Sequence, residues 1–271
     1  MKKLLLSAII ALCITSCSKD DLSTNLTGMK VTQYQNGSVI SSSHYDYSDG
    51  KITEIRWYSS GNFLAGVTKY GYFSNGLLLS LTNYNNSQSR IDNFTFVYDN
   101  DNRLIHQKYQ RKYISEQYTI TYTYNNDNTI TADRAGADPS TKTFYLNNEG
   151  LIYKEVSEVG DYEIIFDGKN PVSANDDITL KTFEYDETHN RALLNDRNGK
   201  DHYMPNNVLR ANSLNKERNS TADKYLIRES IESELNFATT YEYSFNDAGL
   251  PTSKKEFENG ILKKETEYKY Q

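Results

Sequence analysis

Cysteine is nearly absent from this chain. Cys13 and Cys17 are the only two in 271 residues, so everything after residue 17 is without a disulfide, a cysteine nucleophile or a cysteine–metal centre. A basic surplus is also missing. Thirty Lys and Arg face 36 Asp and Glu, a formal charge of −6, and losing Lys2 and Lys3 with a cleaved leader would leave 28 against 36, or −8. That excludes a nucleic-acid binder working through a positive surface. There is no glycine-rich phosphate loop, no Gly-x-Ser-x-Gly elbow and no His-Glu-x-x-His, so no cofactor or catalytic metal is implied. The longest apolar run, Leu4 to Ile14, is too short to cross a bilayer as a helix. Proline is scarce at four residues and tryptophan occurs once, as Trp57. Tyrosine is what the chain has in excess, 23 residues with 10 Phe, and that aromatic load favours strands. With 37% hydrophobic and 24% charged residues, the composition is that of an ordinary folded domain rather than a disordered or collagen-like chain.

The amino terminus reads as an address. Met1-Lys2-Lys3 is a positive start, Leu4–Ile14 an apolar core, and Ile14-Thr15-Ser16-Cys17 an apolar residue and two small ones before a cysteine. This resembles the lipobox of bacterial lipoproteins, in which that cysteine becomes the mature first residue and carries the lipid. The chemistry needs Cys, because only a thiolate accepts a diacylglycerol group as a thioether, and several acyl chains together anchor stably. Lys19, Asp20 and Asp21 follow at once, resembling the acidic export signal that sends Bacteroidetes-type lipoproteins to the outer face of the outer membrane. The expected organisation is a signal peptide over 1–16, a lipidated linker with the export signal over 17–27, and one β domain over 28–271.

That domain is repetitive. Gly50, Gly76, Asn102 and Asn128 recur every 26 residues, with Gly28 and Gly150 at 22 on either side. Large apolar or aromatic residues stand six and four positions before the turn residue in Tyr70/Tyr72, Phe96/Tyr98, Tyr122/Tyr124, Phe144/Leu146 and, before Gly249, Tyr243/Phe245, the first copy being tighter with Tyr45/Tyr47 before Gly50. An aliphatic residue follows two later: Ile52, Leu78, Leu104, Ile130, Ile152. Spacing by two puts such side chains on one face of a strand, and Gly or Asn suits a positive-φ position in a short turn. A second turn falls about ten residues on, as at Asn36-Gly37 and Asn259-Gly260. Each repeat is therefore a hairpin, and the chain is expected to be all-β: an up-and-down antiparallel meander of about sixteen strands, a curled sheet or open barrel whose end strands offer edges to a partner. The alternate face carries Thr119, Thr121, Thr123, Lys255 and Glu258, not the apolar band of a membrane-spanning barrel.

The segments Tyr45-Asp46-Tyr47-Ser48-Asp49-Gly50 and Phe96-Val97-Tyr98-Asp99-Asn100-Asp101-Asn102 resemble the YD repeat of Rhs-type proteins. As a whole the chain is similar to Bacteroidetes lipoproteins of unknown function described as porin-like antiparallel sheets, with Tyr185–Arg191 and Met204–Val208 as counterparts of their middle segments. The resemblance implies architecture and an envelope location; it implies no activity.

The rhythm breaks near 167–236, where Asp167-Gly168-Lys169-Asn170-Pro171 is turn chemistry and residues 186–224 are rich in Asn, Asp, Arg and Lys. This reads as an irregular insertion with long loops, a short helix near 208–218, and a strand or amphipathic segment over 225–235; such loops are either functional or merely mobile. His189 and His202 share it with Asp186, Glu187 and Asp201, but their spacing fits no zinc site. The Asp99–Asn102 cluster offers calcium ligands, yet Gln110 and Leu104 stand where an EF-hand needs Glu and Gly.

Trp57, beside Arg56 and Tyr58 with Asn62 nearby, is the candidate ligand-binding group: sugars stack on aromatic rings while neighbouring polar groups bind their hydroxyls. Its alternative is packing within the sheet. The function expected is non-catalytic, an envelope lipoprotein binding a glycan or an envelope protein. A hydrophobic-ligand carrier, with the sheet curled round a lipid, and a polysaccharide hydrolase with paired carboxylates are the alternatives.

Overall fold

The computed structural model describes residues 25–112, 116–176, 178–191, 222–232 and 237–271. They form eighteen strands: β1 Leu26–Gln35, β2 Ser38–Ser48, β3 Lys51–Ser59, β4 Leu64–Tyr72, β5 Leu78–Asn85, β6 Arg90–Tyr98, β7 Leu104–Arg111, β8 Gln117–Tyr124, β9 Thr129–Gly136, β10 Ser140–Leu146, β11 Ile152–Ser157, β12 Gly160–Asp167, β13 Asn170–Asp176, β14 Leu180–Asn190, β15 Lys224–Glu232, β16 Phe237–Phe245, β17 Pro251–Glu258 and β18 Ile261–Tyr270. A single 3-10 turn at Ser60–Asn62 is the one helical element among the described residues. Every strand pairs antiparallel with the next in sequence, and β1 pairs with both β2 and β18: Val31 stands opposite Ser43 on one side and Thr266 on the other. The sheet is a closed up-and-down barrel. Closure corrects the expectation of free edges for strand addition, since both terminal strands are already paired.

The repeat is visible in the turns. Asp99 Oδ1 accepts from the Asp101 and Arg103 amides, Asn147 Oδ1 from Glu149 and Leu151, and Asn246 Oδ1 from Ala248 and Leu250. The residue three places on takes positive φ: Asn102 61°, Gly150 76°, Gly249 72°, the conformation Gly and Asn tolerate best. A register shift just before the turn then sets the aromatic residue against the aliphatic one, Tyr72 opposite Leu78 and Tyr98 opposite Leu104. Asn147→Ala removes an acceptor of two turn amides and is expected to cost about 1–2 kcal/mol, measurable as a lower urea midpoint. An unchanged midpoint would mean that water serves those amides equally well.

Even strands end, and odd strands begin, at the end of the barrel where Asn25 and Gln271 exchange backbone hydrogen bonds. That terminal end is also where β14 stops and β15 starts. Its inward side is the core. Leu78, Phe96, Leu104, Tyr122, Ile130, Ala132 and Phe144 form one cluster, and Ile164, Ala174, Phe183 and Leu226 another. Leu104 and Phe144 are 0% exposed. In a single closed layer only the concave side crowds large side chains this far, because a convex face spreads them apart. The phenols are tied in as well: Tyr72 donates to the Ile52 carbonyl (2.8 Å), Tyr124 to Leu104 (3.1 Å), Tyr185 to Pro171 (2.7 Å) and Tyr270 to Pro251 (2.8 Å). Each bond stitches one hairpin to the one before it, so a chain with few aliphatics uses tyrosine bodies as core and their hydroxyls as fasteners. Burial pushes the Tyr124 phenol up to about 12.

Among the described residues the 167–236 interval is more regular than expected. Strands number eighteen, because β12 to β15 carry the hairpin pattern into the 167–236 interval, with Phe166 opposite Pro171 and Tyr185 opposite Leu226 in the aromatic and aliphatic positions. Proline in the aliphatic position hid that repeat from a search for Ile and Leu. Residues 224–232 are strand β15, while the helix expected near 208–218 lies outside the described residues. The outward face holds Thr119, Thr121 and Thr123 on β8, Glu242 on β16 and Lys255 on β17, side chains that hydrocarbon would not solvate; Glu258, expected beside them, alternates to the inward face opposite buried Thr239.

Candidate functional site

Alternation decides what Trp57 can reach. Trp57 pairs with Ser43 and Gly66, on the face shared by buried Ile55 and Thr68, so the indole points inward. Arg56 and Tyr58 point outward. There Arg56 Nη2 grips Asp46 at 2.9 and 2.7 Å, and the Tyr58 ring lies 4.7 Å from His44. The structure therefore does not join Trp57, Arg56 and Tyr58 in one platform. Asn62 sits in the β3–β4 turn at φ 65°.

Inside, Trp57 heads a polar relay across four strands. Its Nε1 donates to Thr68 Oγ1 (3.1 Å), Thr68 donates to Asn83 Oδ1 (2.6 Å), and Asn83 Nδ2 donates to Asp92 Oδ1 (2.7 Å). Asp92 stands opposite Arg111, whose Nη1 reaches Glu116 Oε2 at 3.2 Å. The next inward row is aromatic. Phe94 and Tyr109 are 4.8 Å apart, Tyr109 and Tyr118 stack at 4.9 Å, and the Arg134 guanidinium lies 3.9 Å over Tyr118. Burial raises both the Tyr109 and Tyr118 phenols above their ordinary value.

Gly66 stands directly across from the indole. A Cβ there would come within 2.7 Å of the Tyr84 carbonyl oxygen, so nothing larger fits directly across from Trp57. The indole remains 42% exposed although it faces inward, in keeping with a barrel of this strand number, which is wide enough to hold more than its own side chains. The wall thus grades from apolar at the terminal end to amide, carboxylate, guanidinium and exposed aromatic near the opposite mouth. That combination can stack a flat apolar face and hydrogen-bond hydroxyls around its rim.

The sequence pointed to Trp57 and missed Thr68, Asn83, Asp92 and Arg111. Turn lengths carried the signal: the β3–β4 turn sets the Thr68 row against Ile55, and each later turn passes the row on. Among the other candidates, Asp99 is committed to its turn, with Oδ2 2.7 Å from Arg103 Nε. His106 meets the Thr121 hydroxyl at 3.3 Å, and His189 lies in β14, bonded to Asp186 at 2.7 Å. No three His, Cys, Asp or Glu among the described residues gather as a metal site. Cys17, Lys19, Asp20, Asp21, Asp201 and His202 lie outside the described residues.

No family model matches the chain, and no curated relative matches it. Among solved structures it is similar to a porin-like protein from Bacteroides uniformis, at 13% identity over 92% of this chain and 99% of that one, with a TM-score of 0.33. It also overlaps the Photorhabdus luminescens Tc holotoxin pore at 13% identity, over 89% of this chain and 12% of that one, with a TM-score of 0.21. Superpositions this loose carry no argument about activity.

Proposed function

We propose that this protein is a lipid-anchored envelope protein of the Bacteroidetes type, built from YD-like hairpins, that binds a glycan on the inner wall of its barrel without transforming it. The observation that carries the reading is the half-exposed Trp57 across from Gly66, with the relay through Thr68 and Asn83 to Asp92 and the aromatic row beside it. The inner-wall carboxylates argue for binding over hydrolysis, because each holds a partner: Asp92 has Asn83, Glu116 has Arg111, and Glu155 has Lys142. A glycoside hydrolase needs two carboxyl groups free to face the scissile bond. Among the described residues the apolar side chains pack on one another at the terminal end, and the exposed aromatic and polar groups near the opposite mouth favour a polar ligand over a lipid. Neither a cofactor nor a nucleic acid enters this reading; an envelope protein is the alternative ligand.

An anchor at Cys17 suits the geometry. Seven residues separate Cys17 from Asn25, a reach of at most about 25 Å, so the terminal end would lie near the membrane and the mouth bearing Trp57 would face away. Cys17→Ala is expected to move the protein from the membrane to the soluble fraction without lowering its melting temperature; a variant still sedimenting with membranes would refute the anchor. Replacing Asp20 and Asp21 with Ala is expected to reduce cleavage by external protease on intact cells, as the export reading requires of Lys19-Asp20-Asp21.

The binding reading is tested by a glycan array probed with the full chain in detergent, each hit being titrated against Trp57 emission. A saturable hit that shifts the emission supports it. A blank array on folded protein removes glycans and leaves an envelope protein as the ligand.

A further inference from the structure

The polar relay and the aromatic row are one continuous strip. Asp92 and Phe94 stand two residues apart on β6, and Arg111 and Tyr109 two apart on β7, so all four share the inward face. Each strand of the strip touches the next through side chains. Trp57 on β3 bonds to Thr68 on β4, Thr68 to Asn83 on β5, and Asn83 to Asp92 on β6. The Phe94 ring then meets Tyr109 on β7, Tyr109 stacks on Tyr118 of β8, and the Arg134 guanidinium of β9 lies over Tyr118. The two halves also share a field: burial raises the Tyr118 phenol, Arg134 draws it down, and Asp92 adds to the rise.

Both ends of the strip are defined. Beyond Trp57 the inward position across on β2 is Ser43, and beyond Arg134 the one across on β10 is Ser140, neither of which offers a ring or a charge. Between those ends lie the six strand intervals from β3 to β9, roughly 29 Å along the wall at about 4.8 Å each. A chain of pyranose sugars advances by a similar distance per residue, so successive sugars fall on successive strands. Arg134 suits the far end. Its contact to Asp138 is 3.6 Å long and that carboxylate is 90% exposed, which leaves guanidinium N–H groups to donate to hydroxyls while its plane stays on Tyr118. A disaccharide covers one or two intervals and reaches Trp57 or Arg134, never both.

We propose that the ligand is a linear oligosaccharide of about six residues, or a polysaccharide segment of that length, laid across β3 to β9 with Trp57 at one end and the Arg134–Tyr118 stack at the other. This rests on the glycan reading of the inner wall and adds to it the length of the ligand and a second anchor. Affinity then grows with chain length until both anchors are covered and is flat beyond.

Calorimetric titration of the full chain with malto-, laminari- and xylo-oligosaccharides of two to about eight residues tests this. At least one ladder is expected to gain tenfold or more between the disaccharide and the hexasaccharide, then to change by less than twofold. Arg134→Gln is expected to weaken the hexasaccharide at least fivefold and to leave the disaccharide's affinity and its effect on Trp57 emission unchanged. A loss equal at every length would make Arg134 a structural residue and overturn its place as an anchor. Lys108→Gln, on the outward face of β7, is expected to change neither. The ladders on wild-type protein need no variant, so the length stands or falls even if Arg134→Gln does not fold. Equal affinity along a ladder, or silence from all three, overturns the proposal. Array hits that persist alongside either result leave the glycan reading standing, whereas a blank array removes both.

Discussion

Leu104→Ala is expected to lower the unfolding free energy by about 3–5 kcal/mol, seen as a large fall in the urea midpoint. Leu104 is 0% exposed and sits in a cluster with Leu78, Phe96, Tyr122, Ile130 and Phe144. The cost combines lost transfer free energy with the cavity left behind. Collapse cannot relieve much of it, because the Leu104 backbone is held twice, by its pairing with Tyr98 and by the Tyr124 hydroxyl on its carbonyl. Val97→Ala, on the outward face of the neighbouring strand and 39% exposed, serves as the control, with an expected loss within roughly 1 kcal/mol. Equal losses at both positions would contradict the assignment of inner and outer faces.

Lys254→Met is expected to stabilise the protein at neutral pH and to lose that advantage in alkali. In the folded chain the amine titrates at about 8 against 10.5. The unfolded chain therefore binds the proton more tightly, and the penalty is fully present below about pH 8. It is relieved as pH rises from 8 towards 10.5, so this residue makes stability climb across that window. The shift corresponds to roughly 3 kcal/mol, from which about 1 kcal/mol is recovered in the wild type by the amine over the Tyr241 ring, leaving a gain of about 2 kcal/mol for the variant. Above pH 10 the buried phenols act the other way. Tyr124 and Tyr268, both raised to about 12, keep protons that the unfolded chain gives up, so both proteins lose stability there. Urea unfolding at pH 7 and 9.5 is the check. A variant less stable than wild type at pH 7 would show that Lys254 is satisfied as it stands.

The hairpins were legible because the same physics recurs in each. A positive-φ Gly or Asn, an aromatic residue before it and an aliphatic after it specify a turn, a register shift and an inward pair, and Asn102, Tyr98 and Leu104 show all three. Closure was not legible, since nothing in β1 or β18 taken alone distinguishes a seam from an edge; Val31 meeting both Ser43 and Thr266 is a property of the whole ring. The interval after Phe166 misled because Pro171 and Leu226 take the aliphatic place after turns of unlike length. Trp57 stood out by being the only tryptophan, but its company was misread from adjacency in sequence: Arg56 and Tyr58 are its neighbours along the chain and lie across the sheet from it. Thr68, Asn83 and Asp92 are its neighbours through pairing, a relation that alternation and turn length fix only once the register is known.

The central claim is that ligand is bound by the inner wall and not by the outer one, and the two faces of β3 allow a direct comparison. The measurement is the affinity of an array-identified glycan for Trp57→Ala and Asn83→Ala, against Arg56→Ala and Tyr58→Ala, by calorimetry on folded protein. The inner pair is predicted to lose at least tenfold, about 1.4 kcal/mol, with the outer pair within twofold of wild type. Loss of binding in the outer pair, with the inner pair unaffected, would contradict the account.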